Sequence, residues 1–130
     1  MAEGLIIDAS AMVDVLVGAT TSEAIRDQTR GRVLHAPGHF DAEVLSAIGR
    51  LHRAGSISAE TATARLKSLA VSPVQRHPLD SLVGEAWSRR DKLRLTDALY
   101  AALGDRLDLP IITTDASFAS AAKRAILLEP

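Results

Sequence analysis

The sequence predicts an α/β protein in which helices cover both faces of a mainly parallel sheet. First, short β-type runs alternate along the chain with segments of helical periodicity, which is the order typical of parallel sheets. Second, 47% of the 130 residues are hydrophobic and 24% are charged, a balance typical of a folded globular protein. We therefore expect one domain over residues 1–130, without a linker or a second unit.

The first elements are marked by an abrupt change of periodicity at Asp8. Residues 4–7 are a β-type run, and residues 9–17 carry apolar side chains at helical spacing. Asp8 thus follows the carboxyl end of a strand. We then expect a helix over 21–30, which opens on a threonine N-cap, and a strand over 32–35 that is stopped by a proline.

The middle of the chain is predicted to be mostly helical. Apolar residues recur at helical spacing over 38–54, with Gly55 as the terminator, and a further helix covers 58–70. Glu43 lies in the first turns of the first of these helices. Residues 71–75 form a weak strand, and its proline favours a position at the sheet edge.

The last third of the chain continues the alternation. We expect a helix over 79–90, and then a helix over 97–103 that starts on an aspartate and that Thr96 can cap. A strand over 109–114 is followed directly by Asp115. The last two predicted elements are short and cover residues 117–123 (helix) and 125–128 (strand).

Composition excludes several classes of protein. The chain has no cysteine, which rules out disulfides, zinc–thiolate sites and thiol catalysis, so a metal must be bound by oxygen or imidazole ligands. The net charge of −1 gives no overall signal for nucleic acid binding. The apolar stretch at the N-terminus is too short for a signal peptide, and no later stretch is long enough to cross a membrane. We therefore expect a cytoplasmic protein.

Four acids are predicted to lie near the carboxyl edge of the sheet, where ligands gather in this fold class. They are Asp8, Glu43, Asp97 and Asp115. Taken singly, each of them could simply cap a helix or complement its dipole. Taken together, they favour a site for Mg²⁺ or Mn²⁺, because such hard cations prefer oxygen ligands and remove the repulsion between carboxylates. Hydrolysis of a phosphodiester by a metal-activated water is the natural reaction of such a site.

Four motifs spread over nearly the whole chain contain these acids. They are Ile6-Ile7-Asp8-Ala9-Ser10, the segment from His35-Ala36-Pro37 to Glu43-Val44-Leu45, Thr96-Asp97-Ala98-Leu99-Tyr100-Ala101-Ala102-Leu103, and Ile111-Ile112-Thr113-Thr114-Asp115 with Phe118-Ala119 after it. In this order and spacing, the sequence resembles the PIN-domain family, and within it the VapC-type toxins of bacterial toxin–antitoxin pairs.

The resemblance implies a three-layer α/β/α PIN-like domain, an endoribonuclease activity that depends on Mg²⁺ or Mn²⁺, and inhibition by a small antitoxin protein. Asp8 and Asp97 match the most direct metal ligands. Glu43 and Asp115 match acids that bind the metal directly or through water, or that hold the attacking water. Ser10 and Thr113 match hydroxyl positions that orient an acid or a water.

Further features admit two interpretations each. The basic cluster Arg89, Arg90, Lys92 and Arg94 is either an RNA phosphate contact or a solvated loop. Trp87 and Tyr100 are expected in the core or at an interface rather than stacked on bases. His35 or His39 could act as a general base near Glu43, although surface or capping roles are the simpler expectation. Helices over 38–70 could present a face to a second copy or to an antitoxin helix, or their apolar residues could simply be buried in the core of the monomer.

Two other classes of function remain open at this stage. The same fold could be a catalytically silent module that binds RNA or protein without cleavage. A phosphoacceptor or phosphatase could use Asp8 as a nucleophile, but Asp8-Ala9-Ser10 lacks the second nearby acid of such sites, and no lysine follows a late strand.

Overall fold

In a computed structural model of the chain, the described residues 3–130 form five strands and seven helices. The strands are β1 (Gly4–Ile7), β2 (Val33–Pro37), β3 (Val74–His77), β4 (Ile111–Thr113) and β5 (Ala125–Leu127). The helices are α1 (Ala9–Val17), α2 (Ser22–Thr29), α3 (Phe40–Arg53), α4 (Ala59–Ala70), α5 (Val83–Trp87), α6 (Leu95–Leu107) and α7 (Ala116–Ala121). Met1 and Ala2, which begin the predicted N-terminal stretch, lie outside the described residues.

The strands form one sheet in the order β3-β2-β1-β4-β5, and every neighbouring pair is parallel. From β1 the chain adds β2 and β3 on one side, and it then crosses to add β4 and β5 on the other side. The direction of winding therefore reverses between β1 and β4. In doubly wound sheets, the crevice outside the carboxyl ends of the strands at such a reversal is the usual place for a ligand.

The sheet is buried on both faces because successive side chains of a strand point in opposite directions. In β1, Leu5 and Ile7 pack into a core shared with α1 to α4, while Ile6 packs into a second core shared with α6 and α7. All three side chains are at most 2% exposed. This alternation produces the predicted layers of helix, sheet and helix.

Several predicted boundaries shift in the structure. β3 starts at Val74, directly after the proline, and it lies at the sheet edge as predicted. Gly55 ends the region of α3 with a φ of 79°, a left-handed conformation that glycine adopts without strain. α6 begins at Leu95, so Thr96 lies inside its first turn and is not the cap that we expected.

The prediction of a long helix over 79–90 was wrong, because α5 covers only Val83–Trp87. Side chains just beyond it satisfy its last carbonyl groups: Ser88 Oγ and Arg89 Nη1 donate to the carbonyl of Glu85 at 2.6 and 3.0 Å. These contacts replace the amide donors that a longer helix would supply.

The two aromatic residues of this region have different environments. Tyr100 is 3% exposed, which confirms that it is buried. Trp87 is 57% exposed, so the expectation of a core position was wrong for it, and an interface role stays a prediction. The guanidinium of Arg90 lies 4.8 Å from the centre of the Trp87 ring. Within the described part of the chain, none of the helices has the length and hydropathy that a membrane crossing requires.

Candidate active site

The four predicted acids line one open cavity of about 400 Å³ at the reversal between β1 and β4. Asp8 follows β1 directly, and Asp115 lies two residues after β4. Glu43 and Asp97 are in the first turns of α3 and α6, which rise from the same edge. The fold thus brings together side chains that are up to 107 positions apart in the sequence, which is the spacing of Asp8 and Asp115.

Asp8 is both a helix cap and a wall of the cavity. Its Oδ1 accepts hydrogen bonds from the Ala11 amide at 2.9 Å and from Ser10 Oγ at 2.7 Å, so it caps α1. The residue is only 6% exposed. Burial raises the pKa of the Asp8 carboxyl to about 6, although the nearby Thr113 hydroxyl and the hydrogen bonds from Ala11 and Ser10 oppose the shift. The capping interpretation of Asp8 is therefore confirmed, and the same residue also lines the cavity with the other three acids.

Two hydroxyl groups connect Asp8 to the strand that carries Asp115. Ser10 Oγ lies 3.2 Å from Thr113 Oγ1 and accepts from the Thr114 amide at 3.1 Å. Thr113 Oγ1 accepts from the Asp115 amide at 3.0 Å. Because a hydroxyl has a single proton and that of Ser10 goes to Asp8, the Thr113 hydroxyl must be the donor in its contact with Ser10. Ser10 and Thr113 therefore fix the positions of both acids.

Glu43 is held from two sides. The Tyr100 hydroxyl donates to Glu43 Oε1 at 2.8 Å, and His39 Nε2 lies 3.3 Å from the same oxygen. Burial first, and then the charge of Glu43, raise the pKa of Tyr100, so its hydroxyl keeps the proton that it donates. Tyr100 was predicted only as a packing residue, and its contact with Glu43 was missed.

The two histidines considered as general bases both have other hydrogen-bond partners. His39 Nε2 lies 2.9 Å from the Thr96 carbonyl, which can only accept, so this nitrogen carries a proton and is not a free base. His39 Nδ1 is buried and has no partner among residues 3–130. His35 lies on β2, where its Nδ1 is 2.9 Å from His77 Nε2, and it does not line the acidic cavity.

Arg94 lies across two of the acids. Its Nε is 3.3 Å from Asp97 Oδ2, and its Nη2 is 3.6 Å from Asp115 Oδ2. The side chain is 75% exposed, so it can leave this position at little cost. It is the one residue of the predicted basic cluster that lines the acidic cavity within the described chain, since Arg89 and Lys92 line a different cavity.

Sequence reasoning missed two further charged residues that line the cavity, Asp14 and Arg50. Arg50 lies seven residues after Glu43, which is two helical turns along the same face of α3, and this spacing could have identified it. Asp14 accepts a hydrogen bond from the Thr21 hydroxyl at 2.7 Å. We find no signal in the sequence alone that would distinguish Asp14 from an ordinary exposed helix residue.

The donor atoms of the cavity suit a hard divalent cation, because they are carboxylate oxygens from four separate elements. The guanidinium between Asp97 and Asp115 also indicates that the site attracts positive charge. With the side chains in these positions, however, no three acidic or histidine side chains of residues 3–130 are grouped closely enough to hold one ion. Binding of one ion by three of these acids would therefore require their side chains to change position.

The sequence matches the family described as the PIN domain over residues 5–124. The chain therefore belongs to the PIN-domain family. This finding agrees with the fold, since the five-stranded parallel sheet and its two helical layers are those predicted from the resemblance.

The chain is also similar to curated proteins that are named VapC ribonucleases. The chain is 51% identical to Ribonuclease VapC3 of Mycobacterium tuberculosis over 122 residues, which covers 92% of this chain and 88% of the relative. It is 32% identical to Ribonuclease VapC12 of the same organism over 88% of this chain and 89% of the relative. The predicted family is confirmed by these matches.

Solved structures confirm the predicted fold. A protein of Pyrobaculum aerophilum superposes with a TM-score of 0.69 at 25% identity, over 96% of this chain and 83% of that one. VapC20 of Mycobacterium tuberculosis, described as a toxin that cleaves the sarcin–ricin loop, superposes with a TM-score of 0.66 at 16% identity, over 90% and 94% of the two chains.

The raised pKa of Asp8 predicts an effect of pH on stability in the presence of EDTA. Because the folded-state pKa of about 6 exceeds the ordinary value of 3.8, the stabilisation is complete below pH 3.8 and is lost as the pH rises through 6. This shift corresponds to about 3 kcal/mol in the free energy of unfolding. Urea denaturation of the wild type and of Asp8→Asn, each between pH 4 and 7, measures the difference. A difference that is the same at every pH would contradict the prediction.

Proposed function

We propose that this protein is a metal-dependent endoribonuclease and the toxin of a type II toxin–antitoxin pair. The observation that carries the proposal is the set of four carboxylates around one cavity, in a PIN-domain chain that is 51% identical to a ribonuclease over most of its length. The substrate would be RNA, and the product would result from hydrolysis of a phosphodiester bond.

In this proposal Asp8 and Asp97 are the direct ligands of Mg²⁺, with Mn²⁺ as a substitute. When bound, the ion would lower the pKa of a water molecule and balance the charge of the scissile phosphate. Glu43 and Asp115 would complete the site, either by direct contact or by holding water. Glu43 is the better placed to orient the attacking water and accept its proton, because Tyr100 already fixes one of its oxygens.

Arg94 would have two successive partners. Without substrate it neutralises Asp97 and Asp115, and with the ion bound it would turn to a phosphate oxygen of the RNA. A guanidinium suits both roles, since it donates two parallel hydrogen bonds to a carboxylate or a phosphate. Ser10 and Thr113 would keep Asp8 and Asp115 at a constant separation during the reaction.

Two grooves lined by apolar side chains are the surfaces that we propose for protein partners. A groove of about 530 Å³ between α1, α2, α4 and β3 is lined by Met12, Val15, Leu16 and Val17, with Arg26 and Arg65 beside them. It suits an amphipathic segment that carries acidic residues, as expected of an antitoxin. On the other side of α4, a groove of about 520 Å³ includes Leu45, which is 55% exposed, and we propose this face for a homodimer.

Of the two alternatives, only the silent module retains a supporting observation. The acids are not gathered into an ion-binding group within residues 3–130, which is compatible with binding without cleavage. A phosphoacceptor is not supported, because Asp8 is 6% exposed and one of its oxygens already accepts two hydrogen bonds.

The main test of the proposal is cleavage of transfer RNA and total RNA by the purified protein with Mg²⁺, with Mn²⁺ and with EDTA. We expect discrete products that require the metal. Asp8→Asn and Asp97→Asn should each reduce the rate by more than the roughly 10–100-fold that is typical of residues outside the direct ligand set.

Asp27→Asn is the matched control, because it removes the same charge from an exposed position on α2. Far-ultraviolet circular dichroism checks that all variants are folded. Cleavage that persists in EDTA, or that survives both site substitutions, would end the assignment of a metal site to these acids. Absence of cleavage by the wild type with either metal would favour the silent module.

Tyr100→Phe tests the positioning of Glu43 without removing the ring that fills the core. The variant loses the 2.8 Å hydrogen bond, so Glu43 is free to rotate. We expect kcat to fall by about 10–100-fold with the KM for RNA nearly unchanged. A parallel rise in KM, or an unchanged kcat, would indicate that the tyrosine serves packing alone.

The proposed dimer is tested by sedimentation equilibrium of the purified chain. We expect twice the chain mass of 13.8 kDa at micromolar concentration, and a monomer for Leu45→Asp, because the new charge cannot be buried in the interface. Val83→Asp is the control, since Val83 is also 55% exposed but lies on α5, in the other helical layer. A wild type that sediments as a monomer throughout would refute the dimer.

A further inference from the structure

A second cavity lies beside the acidic one and has the opposite charge. It has a volume of about 360 Å³ and lies between the end of α5, the outer face of α6 and the region around α7. We call it the basic cleft and define it by its four cationic residues, Arg89, Lys92, Lys123 and Arg124. Its floor consists of small and aliphatic side chains.

The basic cleft has a positive excess in a chain whose net charge is −1. Against its four cations stand two acids, Asp91 and Asp105. Asp105 is occupied by both arginines, since it forms an ion pair with Arg89 and another with Arg124 at 2.8 Å. The same two arginines lower the pKa of the Asp105 carboxyl, with the hydrogen bond from Arg124 as the largest cause.

The two lysines of the basic cleft are available for a ligand. Lys92 and Lys123 are exposed, and neither forms an ion pair with a carboxylate in the part of the chain that the structure describes. Arg89 is held by Asp105, and Arg124 is held by Asp105 and by Asp108 at 2.8 Å, so the two arginines form a fixed wall beside the lysines. A cavity with two free ammonium groups and a fixed arginine wall suits phosphate groups of a polyanion.

The position of the basic cleft relative to the acidic cavity indicates which polyanion it binds. Asp97, Ala101 and Asp105 are four residues apart on α6 and therefore lie along one face of the helix. Asp97 borders the acidic cavity, while Ala101 and Asp105 border the basic cleft. The helical rise puts Asp97 and Asp105 about 12 Å apart. A strand with one phosphate at the acids can thus reach the cleft within a few nucleotides.

We propose that the basic cleft binds the backbone of the substrate RNA a few nucleotides from the scissile phosphate, with Lys92 and Lys123 as the phosphate contacts. This inference rests on the proposed ribonuclease function. An RNA strand is favoured over an acidic peptide because the cleft continues the path from the acidic cavity along α6. The cleft reads no base, so it contributes affinity and fixes the direction in which the strand lies.

The test measures the salt dependence of RNA binding in the Asp8→Asn background, which separates binding from cleavage. The probe is a labelled single-stranded polyuridine oligonucleotide, followed by fluorescence anisotropy in Mg²⁺ at several salt concentrations. The slope of log K against log salt is negative, and loss of two phosphate contacts with single-stranded nucleic acid lowers its magnitude by about 1.4. We expect this change for the double variant Lys92→Ala with Lys123→Ala. The double variant Lys92→Arg with Lys123→Arg should have the slope of its parent.

Arg53→Ala with Lys67→Ala is the matched control, because it removes the same charge from exposed positions on α3 and α4, in the other helical layer. The inference is overturned if the cleft variant has the slope of its parent, or if the control changes the slope equally. Binding of polyglutamate that depends on the two lysines, together with RNA binding that does not depend on them, would overturn it in favour of an acidic peptide.

The same lysine variants with Asp8 intact separate this inference from the proposed function. If the wild type cleaves RNA, the lysine variant should raise the KM and leave kcat unchanged. If the wild type cleaves no RNA while the difference in slope persists, the nuclease proposal fails and the cleft remains an RNA-binding site. If cleavage proceeds with an unchanged KM, the cleft inference alone fails.

Discussion

Placing an ionised carboxylate in a buried position beside other carboxylates costs free energy, and the structure around Asp8 reduces that cost. The amide of Ala11 and the Ser10 hydroxyl bind Asp8, and the Thr113 hydroxyl lies against that of Ser10. Part of the cost remains, because the pKa of Asp8 is still raised. A positive charge near the cavity reduces the repulsion between its acids, and the guanidinium of Arg94 supplies one at Asp97 and Asp115. The hydrogen bonds around Asp8 thus offset only part of the cost of its negative charge.

The topology explains why the acids meet at all. β1 is the strand from which the chain winds in both directions, so its carboxyl end and that of β4 face the same crevice. α3 and α6 pack on opposite faces of the sheet, and each contributes one acid from its first turn. Tyr100 then links the two layers, since it belongs to the core of α6 and binds the acid of α3. The positions of the acids are therefore fixed by packing in both hydrophobic cores.

The sequence was sufficient to predict the layers and to place the four acids near one edge of the sheet, because both follow from the order of apolar runs and helical segments. Asp8 and Asp115 stand directly after apolar β-type runs, and helical periodicity separates those runs. The sequence was insufficient for contacts that the spacing of apolar residues does not show. α5 ends at Trp87, and the side chains of Ser88 and Arg89 beyond it bind the carbonyl of Glu85. The link from Tyr100 to Glu43 joins positions 57 residues apart, and no local spacing predicts it.

The capping role of Asp8 has a consequence for the evolution of such proteins. Asparagine caps a helix about as well as aspartate, whereas alanine costs about 0.5–2 kcal/mol. In the genetic code, a change of one base converts an aspartate codon to an asparagine codon. A single mutation at Asp8, or at Asp115, which caps α7 in the same way, can therefore remove a negative charge and leave a folded chain. The path from the charged cavity to a folded variant with one neutral side chain in place of an acid is therefore a single mutation, and it leaves both helix caps in place.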